Sequence, residues 1–190
     1  GMLTGYSGPA HSTRDGRMSL FDADETAAAG GRDTGSFVVR HCAEAASVVR
    51  LDSAGLARMV RIAAQGIRVV GVDVSLDIIR RVRDGSADVE GLAEGVRAGR
   101  IDATQNIIAA VIDTDVTLLP VDDLAFARQA ARAIGQALSI KDGYHAVMLC
   151  GGGGDEGTVE MVARTCETAS GKRLGADFGI CAGNELWRPD

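Results

Sequence analysis

No apolar run in this chain approaches the length of a membrane span, and nothing in it resembles a signal peptide. An excess of positive charge is missing as well. The formal net charge is -6, which argues against a surface made for nucleic acid or an anionic membrane. Cysteine is sparse and scattered. Cys42, Cys150, Cys166 and Cys181 have neither the spacing of a zinc site nor the density of a secreted disulfide framework. His11, His41 and His145 form no cluster, so no metal is expected. These absences leave a cytoplasmic protein with reduced thiols as the expectation. Internal repeats and internal linkers are also lacking. What remains is a chain of 190 residues with 46% hydrophobic content, enough for one domain with a proper core.

The most informative stretch is residues 47–75, SVVRLDSAGLARMVRIAAQGIRVVGVDVS, which reads strand, helix, strand. Val48, Val49 and Leu51 make a short β-prone run. Ser53 is placed to cap a helix whose apolar positions Leu56, Met59, Val60 and Ala63 recur at helical spacing. Gly66 ends that helix where a left-handed residue is needed. A nearly all-apolar strand follows and stops at Asp73. This is the opening βαβ unit of a dinucleotide-binding fold, with an acid at the tip of the second strand where a ribose would sit. The glycines that should line the first turn are missing. That turn reads Arg50, Leu51, Asp52, Ser53, Ala54, Gly55.

The rest of the chain keeps alternating. Ser75 caps a helix that Asp84 and Gly85 end, and a short helix with Val96 on its apolar side follows. Arg100, Ile101, Asp102 and Ala103 make a candidate short strand, and Ile107, Ile108, Val111 and Ile112 make a helical face. Strands are expected over 116–121, 146–150 and 178–181. Between them lie a helix capped by Asp122 or Asp123 and a second capped by Asp155. Strands joined by helical crossovers run parallel, so the expected fold is α/β, one doubly wound parallel sheet of about six strands. Residues 1–36, rich in Gly, Ser, Thr, Asp and Ala, are expected to form an N-terminal extension of irregular structure, and residues 37–190 the Rossmann-like domain. Phe37, Val38 and Val39 could add an edge strand, Met18 could be the true start, and Gly1 before Met2 reads as a tag remnant.

Five segments fall in order at a recognisable spacing: IRVVGVDVS from Ile67, VEGL from Val89, DTDV from Asp113, GTV from Gly157 and SGKRLGADFGI from Ser170. Together they resemble the N-terminal domain of the UDP-glucose/GDP-mannose 6-dehydrogenases, over residues 48–188, and the last segment looks most like the GDP-mannose branch. The resemblance implies NAD as cofactor and oxidation of a sugar 6-hydroxyl to a carboxylate in two NAD-dependent steps, through a thioester on a cysteine. Carried over residue by residue, most of the motifs are altered. Of the glycine-rich turn only the third glycine, Gly55, survives, while Asp73 matches the ribose-binding acid. Ile78 replaces a basic residue. The family's Gly-Thr-Pro falls on Asp122, Asp123 and Leu124. Its Ser-Thr-Val falls on Gly152, Gly153 and Gly154, so the catalytic threonine position is Gly153. In the closing motif Glu185 and Arg188 match, and the chain stops at Asp190, short of a sugar-binding domain and its cysteine.

Each candidate also has a plainer reading. Asp73 could bind a ribose, and an Asp before a Ser-capped helix is also a good turn residue. The glycines at 151–154 could cradle an anion, but no Lys follows them and Asp155 and Glu156 bring negative charge, which favours simple helix capping. Arg50 is expected to bridge to Asp52 or Asp73 and plug the cofactor cleft. Cys150 and Cys181 read as buried structural cysteines. The expectation is a divergent nucleotide-sugar dehydrogenase-like domain, inactive as an oxidoreductase on its own. Its cofactor-binding residues would be Gly55 and Asp73, it would have no intact catalytic group, and Glu185 would be a relic of the catalytic acid. NAD binding is doubtful for such a turn, and a nucleotide or nucleotide sugar is the candidate small-molecule ligand. The alternative is a non-catalytic interaction or regulatory module of polysaccharide synthesis, self-associating or pairing with another dehydrogenase chain.

Overall fold

The computed structural model describes residues 11–12, 17–19, 43–152, 155–182 and 185–187. Its strands are β1 His11–Ser12, β2 Arg17–Ser19, β3 Ala45–Val49, β4 Arg68–Val72, β5 Ile101–Thr104, β6 Val116–Pro120, β7 His145–Cys150, β8 Phe178–Ala182 and β9 Glu185–Trp187. Its helices are α1 Ser53–Ala63, α2 Leu76–Arg83, α3 Leu92–Arg97, α4 Ile107–Ile112, α5 Leu124–Ile140 and α6 Glu156–Ser170. Six strands are parallel and lie in the order β8-β7-β6-β3-β4-β5. This is the doubly wound sheet expected from the alternation of strands and helices. Beyond β8 the sheet continues antiparallel through β9, β2 and β1. Two short strands therefore lie in the stretch expected to be irregular. The edge strand expected at Phe37, Val38 and Val39 lies outside the described residues.

Both faces of the parallel sheet are covered, so β3 and β6 are buried at every position. Leu56, Met59 and Ile62 of α1 and Ile78, Ile79 and Val82 of α2 pack on one face against Val48, Val69, Leu118 and Met148. On the other face Ile134 and Leu138 of α5 and Val159 and Val162 of α6 pack against Leu119, Val147 and Ile180. Helices α5 and α6 approach closely because Gly135 has no side chain. A Cβ there would stand 2.6 Å from the Cβ of Ala169 and 3.0 Å from the carbonyl oxygen of Cys166. Among the described residues no helix is long and apolar enough to cross a membrane.

Several helix ends follow the sequence. Ser75, Asp123 and Asp155 each accept a hydrogen bond from the backbone N–H three residues on. One does not. The N-cap of α1 is Asp52, which accepts from the Gly55 N–H at 2.9 Å, and Ser53 is the first helical residue. Ser and Asp cap about equally well, and the backbone settles the choice: Asp52 is extended, as a cap must be.

A buried polar chain crosses the sheet away from the carboxyl ends of the strands. Lys141 Nζ donates to the carbonyls of Val111 (3.1 Å) and Thr114 and to His145 Nδ1 at 2.8 Å. Nδ1 also lies 3.1 Å from the Thr114 carbonyl. Nε2 pairs with Thr117 Oγ1 at 2.7 Å, and Thr117 in turn meets Ser47 Oγ at 2.8 Å. His145, Thr117 and Ser47 are fully buried. Each polar atom has a partner, which is what makes such a chain tolerable in an apolar core. Burial, reinforced by the neighbouring ammonium, pushes His145 down to about 3, and burial pushes Lys141 down to about 8.

Candidate functional site

The strand order reverses between β3 and β6, so the helices that follow them lie on opposite faces and leave a crevice at the carboxyl ends where doubly wound sheets bind ligands. The turn 50–55 enters this crevice from β3. Arg50 stands in the first glycine position and adopts the left-handed backbone a glycine would take, with φ 68°. For a residue with a side chain that conformation costs about 1–2 kcal/mol, so the surroundings must hold it. They do. The Arg50 N–H donates to the Val72 carbonyl at 2.8 Å. Its Nε donates to Asp52 Oδ2 at 3.0 Å and its Nη2 to Asp122 Oδ1 at 2.8 Å. The guanidinium also lies over the Phe126 ring, 5.3 Å from its centroid. The hydrogen bond from Arg50 holds the Asp122 carboxyl below its ordinary range, and the same bond raises Arg50.

Asp52 occupies the second glycine position and serves two partners. One oxygen caps α1 and the other takes Arg50. Gly55, the retained third glycine, is needed for packing. A Cβ built there would fall 2.0 Å from the Arg50 carbonyl oxygen. Asp73 lies at the tip of β4 as expected. Its Oδ2 accepts from the Leu51 N–H at 2.8 Å and its Oδ1 from the Ser75 N–H at 2.9 Å. The acid therefore ties the first turn to the start of α2. It makes no hydrogen bond to Arg50 among those described. Of the two expected alternatives Arg50 bridges to Asp52, and Asp122 is its second partner.

Beside this turn lies a cavity of about 370 Å³, lined mainly by Val49, Val72, Ile107, Phe126, Ala130 and Ala133, with Asp73, Val74, Gln105, Gln129 and Arg50 around them. That volume falls in the range of small-molecule sites. Gln105 Nε2 donates to the Val74 carbonyl at 2.8 Å and fixes the rim, leaving the Val74 side chain almost fully exposed. Sequence reading offered Asp122 as a helix cap and not as a partner of Arg50, and it did not pick out Phe126 or this cavity. Asp122 follows β6 by two residues, on the far side of the strand-order reversal from Arg50, and that position was the available signal.

The remaining candidates are placed as follows. Gly151 has a positive φ and lies near Arg58 and Asp122, whereas Gly153 and Gly154 fall outside the described residues. Asp155 caps α6 through the Thr158 N–H at 2.7 Å, and that bond holds its carboxyl low. Burial pushes the Cys150 thiol up, the opposite of what an activated nucleophile needs. Cys181 is buried. Glu185 begins β9, opposite Ala182 and Ser19, on the antiparallel part of the sheet.

A dinucleotide is two nucleosides joined by a diphosphate. For one nucleoside there is a cavity and an acid at the strand tip. For the diphosphate there is no approach to bare backbone at the turn: a guanidinium pinned by two carboxylates stands there, and Asp52 and Asp122 present negative charge. The residues present fit the first part of the ligand and not the second.

No family model matches the chain. It is similar to the GDP-mannose 6-dehydrogenase of Azotobacter vinelandii, with 30% identity over 142 residues, 67% of this chain and 33% of that protein. It is also similar to the UDP-glucose 6-dehydrogenase of Haloferax volcanii, with 34% identity over 137 residues, 65% of this chain and 32% of that protein. Among solved structures, a ternary complex of GDP-mannose dehydrogenase from Pseudomonas aeruginosa superposes with a TM-score of 0.66 and 30% identity, covering 71% of this chain and 34% of that one. The chain thus spans about a third of the length of the relatives it matches.

Proposed function

We propose, from the premise that this chain is a relative of the UDP-glucose/GDP-mannose 6-dehydrogenases through their N-terminal Rossmann part, that its domain keeps the fold without performing the oxidation on its own. The observation that carries this reading is Arg50. It occupies the first glycine position, holds the glycine conformation, and is locked there by Asp52 and Asp122. Hydride transfer requires a nicotinamide held in register with its substrate, and the diphosphate is the hinge that sets that register. A diphosphate entering this cleft would have to unseat Arg50 from two carboxylates and then share space with both. Asp73 is committed to two backbone N–H groups and supports the turn whether or not a ribose is bound.

The test is calorimetric titration of the chain with NAD. The expected result is no binding at concentrations up to about 1 mM. Binding in the micromolar range that disappears in Asp73→Ala would overturn the reading, because it would show that Arg50 yields to the cofactor.

A further inference from the structure

Strand β5 ends the sheet. It pairs with β4 on one side, and among the described residues no strand lies on the other. The Val69 N–H donates to the Arg100 carbonyl at 2.7 Å and the Asp73 N–H to the Thr104 carbonyl at 3.2 Å, so the even-numbered residues here turn their backbone groups toward β4. Ile101 and Ala103 therefore turn theirs out of the sheet. Outward amides on a terminal strand are a template for another strand. At Ala103 that template is already taken. Its N–H donates to Asp102 Oδ1 at 2.8 Å, and its carbonyl accepts from Arg83 Nε at 2.9 Å. The same Nε lies 3.2 Å from Asp102 Oδ1, so the two side chains close on each other as well as on the backbone. Ala103 is fully buried although it sits on the last strand, while the two side chains that cover it are more than half exposed. As an ion pair so exposed, Arg83 and Asp102 contribute only about 0–1 kcal/mol. Nor is Arg83 needed to seat α2, which buries Ile78, Ile79 and Val82. What the pair does is occupy both outward groups of one edge residue.

We infer that Arg83 and Asp102 form a clip that closes the β5 edge to strand addition, and that the strand it keeps out is the β5 of a second copy of this chain. The outward groups of Ile101 and Ala103 are the same on every copy. A twofold axis at the edge would therefore pair two such strands antiparallel, the donors of each meeting the acceptors of the other. With the clip in place, Ala103 has neither a donor nor an acceptor to give. This inference is independent of Arg50 and of what the cleft binds.

The experiment is sedimentation velocity, from about 5 μM to about 200 μM, on the unaltered chain and on the double variant Arg83→Ala with Asp102→Ala. The double substitution removes one charge of each sign and leaves the net charge at -6, so a change in association is not an effect of net charge. The variant is expected to self-associate at least about tenfold more strongly than the unaltered chain. Amide hydrogen exchange locates the contact: in the variant, protection of Ile101 and Ala103 should rise with protein concentration. In the unaltered chain the Ala103 amide should be protected at every concentration, and Asp102→Ala alone should speed its exchange at least about tenfold at low concentration. Three results would overturn the inference. Equal self-association of the two folded proteins would show that the clip keeps nothing out. Stronger association of the variant without a rise in protection at β5 would place the new contact elsewhere. Exchange of the Ala103 amide as fast in the unaltered chain as in Asp102→Ala would show that the clip does not hold in solution, and this readout stands even where the double variant fails to fold.

Discussion

Replacing His145 with glutamine should flatten the acid limb of this protein's stability profile. The imidazole is fully buried, and its Nδ1 lies 2.8 Å from the Lys141 ammonium. Its pKa falls from 6.5 to about 3 on folding. Between those values only the unfolded chain takes up the proton, so stability is lost as pH drops from 6.5 toward 3. At pH about 4.5, roughly two units below the unfolded value, the loss from this one group is about 3 kcal/mol. That is a large share of the 5–15 kcal/mol that holds a domain folded. Glutamine keeps a polar group between Lys141 and Thr117 and does not titrate. The charges of Asp113, Asp115 and Lys172 that act on Lys141 are the same in both proteins. The comparison is urea unfolding of both proteins at pH about 7 and pH about 4.5. The unaltered chain should lose about 3 kcal/mol more than His145→Gln over that interval. Parallel profiles would refute the buried neutral imidazole and the hydrogen-bonded chain built on it.

Lys141 gives the opposite end of the profile: lowered from 10.5 to about 8, it adds stability as pH rises through that window, and Lys141→Met should remove the rise in the same urea series. Gly55→Ala should destabilise by about 3 kcal/mol or more, because its Cβ would meet the Arg50 carbonyl at 2.0 Å with backbone on both sides. An unchanged thermal midpoint would contradict the close packing of α1 on β3. Asp52→Ala should cost about 1 kcal/mol as a lost cap. Asp52→Asn, which keeps an acceptor for the Gly55 N–H, should recover most of it in the same melt.

The fold was legible because its signals are local. Short apolar runs between helical patterns marked the parallel strands, and Ser75, Asp123 and Asp155 capped helices where a cap was expected. The end of α1 was less so, since Asp52 and Ser53 are both good caps and only the extended backbone at Asp52 decides between them. The spoiled phosphate turn was visible as missing glycines. The identity of what closes it was only half visible, because Asp122 reaches Arg50 across 72 residues of sequence. Asp73 was the nearer guess for a partner, and both of its oxygens already serve backbone amides. The chain of Lys141, His145, Thr117 and Ser47 was not legible at all. Its members come from separate elements, with Ser47 and Thr117 lying 70 residues apart, and no spacing rule connects them.

The central proposal is that Arg50 and Asp52 close the first turn of the cleft to a diphosphate. The most direct measurement is NAD affinity of the double variant Arg50→Gly with Asp52→Gly, set against the unaltered chain by calorimetry. The account predicts that the variant binds NAD at least about tenfold more tightly, having regained the glycines whose backbone faces a diphosphate. Equal affinity in the two proteins, with the variant still folded, would contradict it.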